Sequence, residues 1–232
     1  SNADYGCKEL IDPCTNLKSF KFFHVEANVF TSGGYNDHFN VFLPYEFMTP
    51  LAKKACTLET LCLDYHHETS RWYGAPQDFF IGPLTHFHTL KDLQLPMANL
   101  LGEGDPMLDE EPFDPMPLVN ILPASLERLC VCDWREGRQE EMLPQFVDVV
   151  VSRNKFPHLT QLEVRGQFIR LIPNNITEEI LQSYRGHCPL IDPKIYDATE
   201  KLSFICEHMG VDFTIRDVCM EAYINGHEDF YC

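Results

Sequence analysis

The sequence has no stretch approaching the roughly 18 apolar residues that a membrane-spanning helix needs, so no helical span is expected. It carries no nucleophile elbow, no phosphate loop and no pair of catalytic carboxylates in motif context. Gly33-Gly34 and Gly102-x-Gly104 are isolated turn glycines without a strand-to-helix setting. Basic side chains are scarce: 18 Lys and Arg face 35 Asp and Glu, a formal charge of −17. Such an excess repels nucleic acid and anionic membranes and favours a basic or neutral partner. No Cys-x-x-Cys spacing and no internal Gly-Ser linker occur, and the simplest organisation is one domain over residues 4–232. Ser1-Asn2-Ala3 resembles the scar of a cleaved expression tag.

Ten cysteines are present and scattered, several where a core or strand residue belongs. A chain of this length does not need stapling, so free thiols in a reducing, intracellular setting, cytoplasmic or nuclear, are expected. Apolar residues make up 44% of the chain, enough for a continuous core.

One short pattern recurs five times: Leu17-Lys-Ser-Phe20-Lys-Phe22, Leu58-Glu-Thr-Leu61-Cys-Leu63, Leu90-Lys-Asp-Leu93-Gln-Leu95, Leu126-Glu-Arg-Leu129-Cys-Val131 and Leu159-Thr-Gln-Leu162-Glu-Val164. The intervals are 41, 32, 36 and 33 residues. Val211-Asp-Phe213-Thr-Ile215-Arg216 alternates in the same way and predicts a sixth strand, with a worn repeat near Cys188-Pro-Leu190-Ile191 in the long gap before it. Period-two alternation turns one side of each strand to the core and the other outward.

Helix signals fill the intervals. Thr49-Pro50 predicts a helix start before Leu51–Ala55. Pro144 opens a segment with Phe146, Val149 and Val150 on one face, and Asn175 with Glu178 resembles a capping box before Ile180, Leu181 and Tyr184. Leu202, Ile205, Cys206 and Met209 form an amphipathic stripe ended by Gly210. The fold class that follows is α/β: a leucine-rich-repeat-like solenoid of about six irregular repeats, its curved parallel sheet on the concave face and its helices on the convex face.

The outward strand row supplies the candidate binding residues: Lys21, Phe23, Cys62, Asp64, Asp92, Gln94, Arg128, Cys130, Cys132, Glu163, Arg165, Asp212, Thr214 and Arg216. Cys62, Cys130 and Cys132 read first as small polarisable residues filling a tight inner surface, although Arg128 shares the face of Cys130 and could lower its thiol pKa. Residues 101–117 are Pro-rich and acidic, with Glu103, Asp105, Asp109, Glu110, Glu111, Phe113 and Asp114, and predict a loop insertion. Residues 217–232 are expected to cap the end. His66, His67, His86 and His88 flank one crossover without metal-site spacing, so no metal and no cofactor are expected. Trp72-Tyr73 and Phe79-Phe80-Ile81 fit helix packing better than an aromatic cage. Asn175-Ile176-Thr177 matches a glycosylation acceptor, a triplet that often arises by chance.

Degenerate LxxLxL units with cysteine-rich strands, such as Leu58–Leu63, and the stretch His187-Cys-Pro-Leu190 resemble the repeat region of fungal-type F-box/leucine-rich-repeat proteins over residues 14–216. The resemblance implies a non-enzymatic substrate-recognition module, joined to a cullin ubiquitin ligase by an F-box segment; no F-box occurs in the sequence as given. It also implies an asparagine or cysteine three residues past each last leucine, where this chain has Val25, His66, Ala98, Trp134 and Gln167. Three functions follow: a recognition scaffold, an acidic protein that occludes a basic partner and, remotely, a thiol- or metal-dependent enzyme.

Overall fold

The computed structural model describes residues 8–24, 44–65, 80–102, 116–134, 139–169, 190–218 and 220. The acidic loop residues 103–115, His66, His67, Trp72, Tyr73, Phe79, Cys188 and the segment holding Asn175, Glu178, Ile180, Leu181 and Tyr184 lie outside them.

Each repeated motif forms a strand. In chain order the strands are β1 (Ser19–His24), β2 (Thr60–Tyr65), β3 (Asp92–Pro96), β4 (Arg128–Trp134), β5 (Gln161–Gly166) and β6 (Asp212–Asp217). They make one parallel sheet in the order β1-β2-β3-β4-β5-β6, so every strand lies beside its sequence neighbours. Among the described residues, the helices between them are α1 (Pro44–Ala52), α2 (Met97–Leu101), α3 (Leu118–Ile121), α4 (Gln139–Val151) and α5 (Pro193–Met209).

The pairing register puts Phe20, Leu61, Leu93, Leu129, Leu162 and Phe213 in one transverse row, and Phe22, Leu63, Leu95, Val131, Val164 and Ile215 in another. These rows and the first leucine of each motif pack in one cluster with Leu51, Met142, Phe146, Leu202 and Cys206 from the helices. The core therefore lies between the sheet and the helices, and a six-strand α/β solenoid is what the motif spacing predicts. On β1 the leucines are replaced by Phe20 and Phe22, whose rings lie 5.7 and 5.1 Å from Phe47 of α1.

The repeats are tied together by a ladder that precedes the leucines. The residue just before the motif is Thr57, Thr89 or Ser125 in three consecutive repeats. Each hydroxyl donates to the carbonyl of the first leucine of the preceding repeat: Thr57 to Leu17 at 3.0 Å, Thr89 to Leu58 at 2.9 Å and Ser125 to Leu90 at 2.8 Å. His158 takes the place in the next repeat and interrupts it. Two residues on, alternating charges add exposed ion pairs, Lys18 with Glu59 at 2.9 Å and Lys91 with Glu127 at 3.0 Å. Exposed pairs contribute little, whereas a half-buried hydroxyl bond contributes about 1 kcal/mol. Thr89→Val, which keeps the shape and removes the donor, is expected to lower unfolding stability by about 1 kcal/mol in urea titration. An unchanged midpoint would deny the ladder any structural weight.

Several local expectations are corrected. Helix α1 starts at Pro44, with Thr49-Pro50 inside its final turns rather than at its start. It ends two residues after Pro50, which confines the disruption. Helix α4 starts at Gln139, so Pro144 is internal. The carbonyl Pro144 leaves without a helical donor is that of Glu140, an exposed first-turn residue that water reaches. No repeat intervenes near Cys188–Ile191, because β5 pairs with β6 directly along six residues. Asp192 caps α5 by accepting from the Lys194 N–H at 2.9 Å, and Gly210 ends it at φ 67°.

Candidate functional site: the open face of the sheet

The face opposite the helices carries the second alternating set. One transverse row reads Ser19, Thr60, Asp92, Arg128, Gln161, Asp212, and the next Lys21, Cys62, Gln94, Cys130, Glu163, Thr214. Phe23 lies opposite Asp64, and Arg165 opposite Arg216.

Glu163 is the hub. Its Oε2 lies 3.1 Å from Arg128 Nη2 and 3.6 Å from Arg216 Nε, and its Oε1 lies 3.8 Å from Arg165 Nε. The Cys130 thiol donates to Oε1 at 3.7 Å. Arg128 also reaches Asp92, at 3.2 Å. Arg165 crosses to Asp64 on β2 at 3.3 Å, and the Gln94 amide donates to the same Asp64 oxygen at 2.7 Å. At about 4.8 Å per strand, β2 and β5 of a flat sheet stand about 14 Å apart, too far for this pair. Inward curvature of the sheet brings the two side chains together.

Two irregularities shape the same end of the face. Val131 pairs with Val164 but Trp134 pairs with Gly166, so β4 holds one extra residue. Asp133 absorbs it at φ 53°, a conformation that Asp tolerates better than most side chains. The bulge reverses the alternation and turns Trp134 into the core, 5.8 Å from Phe146. Gly166 sits opposite it, where a Cβ would come within 2.8 Å of the Trp134 carbonyl oxygen. On β3, the Asp92 N–H donates to the Glu59 carbonyl. Continuing that two-residue step, the donor for Leu63 falls at Pro96, which has no N–H. The Cys132 thiol supplies it instead, at 3.7 Å.

All fourteen predicted strand residues therefore lie on the open side, but not all are accessible. Cys62, Gln94, Cys130, Cys132 and Glu163 are buried. Asp64, Asp92, Arg128, Arg165 and Thr214 are half-buried, while Lys21, Phe23, Asp212 and Arg216 are exposed, Phe23 at 62%. The face is thus a sealed polar centre with contact groups at both ends. His86 and His88 are exposed surface residues. Among the described residues no three His, Cys, Asp or Glu side chains gather in metal-binding geometry.

Arg128 does not activate Cys130, and the thiol is a buried filler of the inner surface. Burial pushes this thiol's pKa up, and the Glu163 carboxylate adds to the rise; Arg165 and Arg128 oppose it without prevailing. Burial, with Asp64 behind it, pushes Cys62 up to about 11, and burial does the same at Cys206. Cys132 is also pushed up, by burial first. In the unfolded chain these thiols ionise near the ordinary 9.0, whereas in the folded chain Cys62 stays neutral until about 11. The unfolded state then holds fewer protons, so stability should fall as pH rises from about 9 towards 11. Brief alkylation at pH 8, read residue by residue by mass spectrometry, is expected to modify exposed Cys14 and Cys56 while sparing Cys62, Cys130, Cys132 and Cys206. Rapid native labelling of Cys130 would contradict the buried assignment.

Asp217 was absent from the predicted set and is wholly buried. Its Oδ2 accepts from the backbone N–H groups of Phe168 at 2.6 Å and Ile169 at 2.8 Å, and its Oδ1 from Met220 at 2.8 Å. It closes β6 onto the segment leaving β5.

A family model described as a leucine-rich repeat domain matches residues 2–185. The chain belongs to the leucine-rich repeat family. The match stops before α5 and β6, and the structure continues the repeat sheet by that further helix and strand. Leucine-rich repeat domains commonly bind proteins, which supports an interaction role in general. Searches of curated proteins and of solved structures each found no match.

Proposed function

We propose that this leucine-rich repeat chain is a non-enzymatic recognition scaffold, working as the substrate-binding part of an F-box-type ubiquitin-ligase adaptor in a reducing intracellular compartment. The observation that carries the binding role is the division of the sheet. One side is closed by helices, and the other keeps an ion-paired charged centre flanked by exposed Phe23 and Lys21 at one end and Asp212 and Arg216 at the other. Aromatic and arginine groups around a preorganised centre suit protein contacts. The ligase role rests on the resemblance of the repeats. It is tested by affinity capture from cells with the full-length gene product. Recovery of a cullin adaptor supports the role; its consistent absence, with no F-box-like segment before residue 4, removes it. Phe23→Ala with Arg216→Glu is expected to release a captured substrate while leaving an adaptor bound.

The −17 charge favours a second reading, occlusion of a basic partner. The strand row itself is balanced, however: Lys21, Arg128, Arg165 and Arg216 oppose Asp64, Asp92, Glu163 and Asp212. A partner held by this face should dissociate only modestly faster in high salt, whereas one held by the acidic remainder should weaken steeply.

A further inference from the structure

Strand β6 ends the sheet: among the described residues no strand lies beyond it. Its core-side residues show the uncovered edge. Leu162 and Val164 of β5 are buried, whereas Phe213 and Ile215, in the same two rows, are only half-buried. The edge also lacks the common guards against strand addition. It holds no proline and no lysine, and it runs in unbroken register with β5 over six residues. Alternation divides its backbone groups. The Asp212 N–H donates to the Thr160 carbonyl of the neighbouring repeat at 2.8 Å, so residues 212, 214 and 216 turn their backbone groups towards β5. Phe213 and Ile215 then turn theirs outward.

We propose that β6 is the joint of a dimer, in which two copies of this chain pair β6 with β6, antiparallel, about a twofold axis at Thr214. The run Asp212-Phe213-Thr214-Ile215-Arg216 is complementary to itself in this arrangement. Outward-turned residues must face outward-turned residues, so the axis falls on a residue and not between two. With the axis at Thr214, Phe213 meets Ile215 of the second copy, and the two exchange both backbone hydrogen bonds. On the open face Asp212 meets Arg216 of the second copy, on either side of the axis, and the two Thr214 side chains meet at the centre. Opposite charges and paired threonines both favour antiparallel pairing. Moving the axis to Phe213 sets Asp212 against Thr214, and moving it to Ile215 sets Phe213 against Asp217. Neither pairs opposite charges. A head-to-tail joint to β1 of another copy, in the sheet's own register, sets Thr214 against Lys21 and Arg216 against Phe23, and pairs none either. Arg216 keeps Glu163, because a guanidinium has donors for a second acceptor. The product is one continuous sheet of two arcs. It covers Phe213 and Ile215 and leaves a Phe23 at each far end.

The test is sedimentation equilibrium of the whole chain from about 1 to 200 µM in about 150 mM salt, which screens the repulsion between two chains of charge −17. A monomer–dimer equilibrium with no larger species is expected. Asp212→Arg and Arg216→Asp should each weaken self-association at least about tenfold, because each sets like charges against one another on both sides of the axis. An equimolar mixture of the two variants should return to the wild-type level of dimer, since each supplies the charge the other lacks. That recovery also shows that both variants fold. Thr214→Cys, oxidised with glutathione disulfide, should give a 214–214 cross-link in peptide mass spectrometry, because facing residues at such a position stand within disulfide reach. A monomer at every concentration, association untouched by either charge reversal, a mixture that stays monomeric, species that grow beyond the dimer, or a dimer that never forms the 214–214 cross-link would each overturn the joint. Phe23→Ala, at the far end of the face, should weaken partner capture and leave the dimer intact, which keeps this joint separable from the adaptor reading.

Discussion

Replacing Asp217 with alanine is expected to cost about 4 kcal/mol of folding stability, because three backbone N–H groups lose one shared acceptor and each unpaired buried donor costs about 1–3 kcal/mol. The carboxylate is wholly buried and receives Phe168 and Ile169 on one oxygen and Met220 on the other. It joins the chain leaving β5 to the end of β6, so the loss should be felt at the last repeat. Asp217→Asn is expected to fall between wild type and alanine. Its one carbonyl oxygen can serve Phe168 and Ile169, while its amide NH2 is left facing the Met220 N–H. Urea unfolding gives the global cost, and hydrogen exchange at Phe168 and Ile169 gives its location. A loss below 1 kcal/mol, or slow exchange retained at both amides, would show that other groups hold this turn.

Glu163→Ala is the second large effect, about 3 kcal/mol. Removing one partner of a buried ion pair typically costs 3–5 kcal/mol because the remaining charge stays behind. Here three guanidinium groups stay behind, and the lower end applies because Arg128 and Arg216 reach water, with side-chain exposures of 32% and 46%. Glu163→Gln keeps most of the shape and one acceptor but removes the charge, and should lie between the two. The double variant Glu163→Ala with Arg128→Ala should recover part of the loss, since one unpaired cation is gone. If Glu163→Ala unfolds at the wild-type denaturant midpoint, the network contributes nothing net and its role is confined to shaping the face.

The hydroxyl ladder was legible in the sequence. Thr57, Thr89 and Ser125 stand one place before the leucines, whereas the family pattern puts its ladder residue three places after them. The irregular start of α4 was not legible in the same way: Pro144 marks helix starts in general, and only the solvent around Glu140 makes an internal position tolerable.

From sequence alone, the identity of the six strands, their parallel arrangement and the inward leucine rows all followed, because they depend on a local property; that β6 lies directly beside β5 did not. Side chains alternate every residue, and each 30- to 40-residue unit must stack on the next to bury its apolar side. The tertiary structure decided everything that depends on distance across strands. It determined that Arg165 on β5 meets Asp64 on β2, that Cys130 and Cys132 are buried, and that Asp217 is a buried acceptor. It also placed a bulge at Asp133, which turns Trp134 away from the open face and into the core. A strand pattern states which side a residue faces. Whether that side is open to a partner depends on curvature, and on which charges reach one another across it.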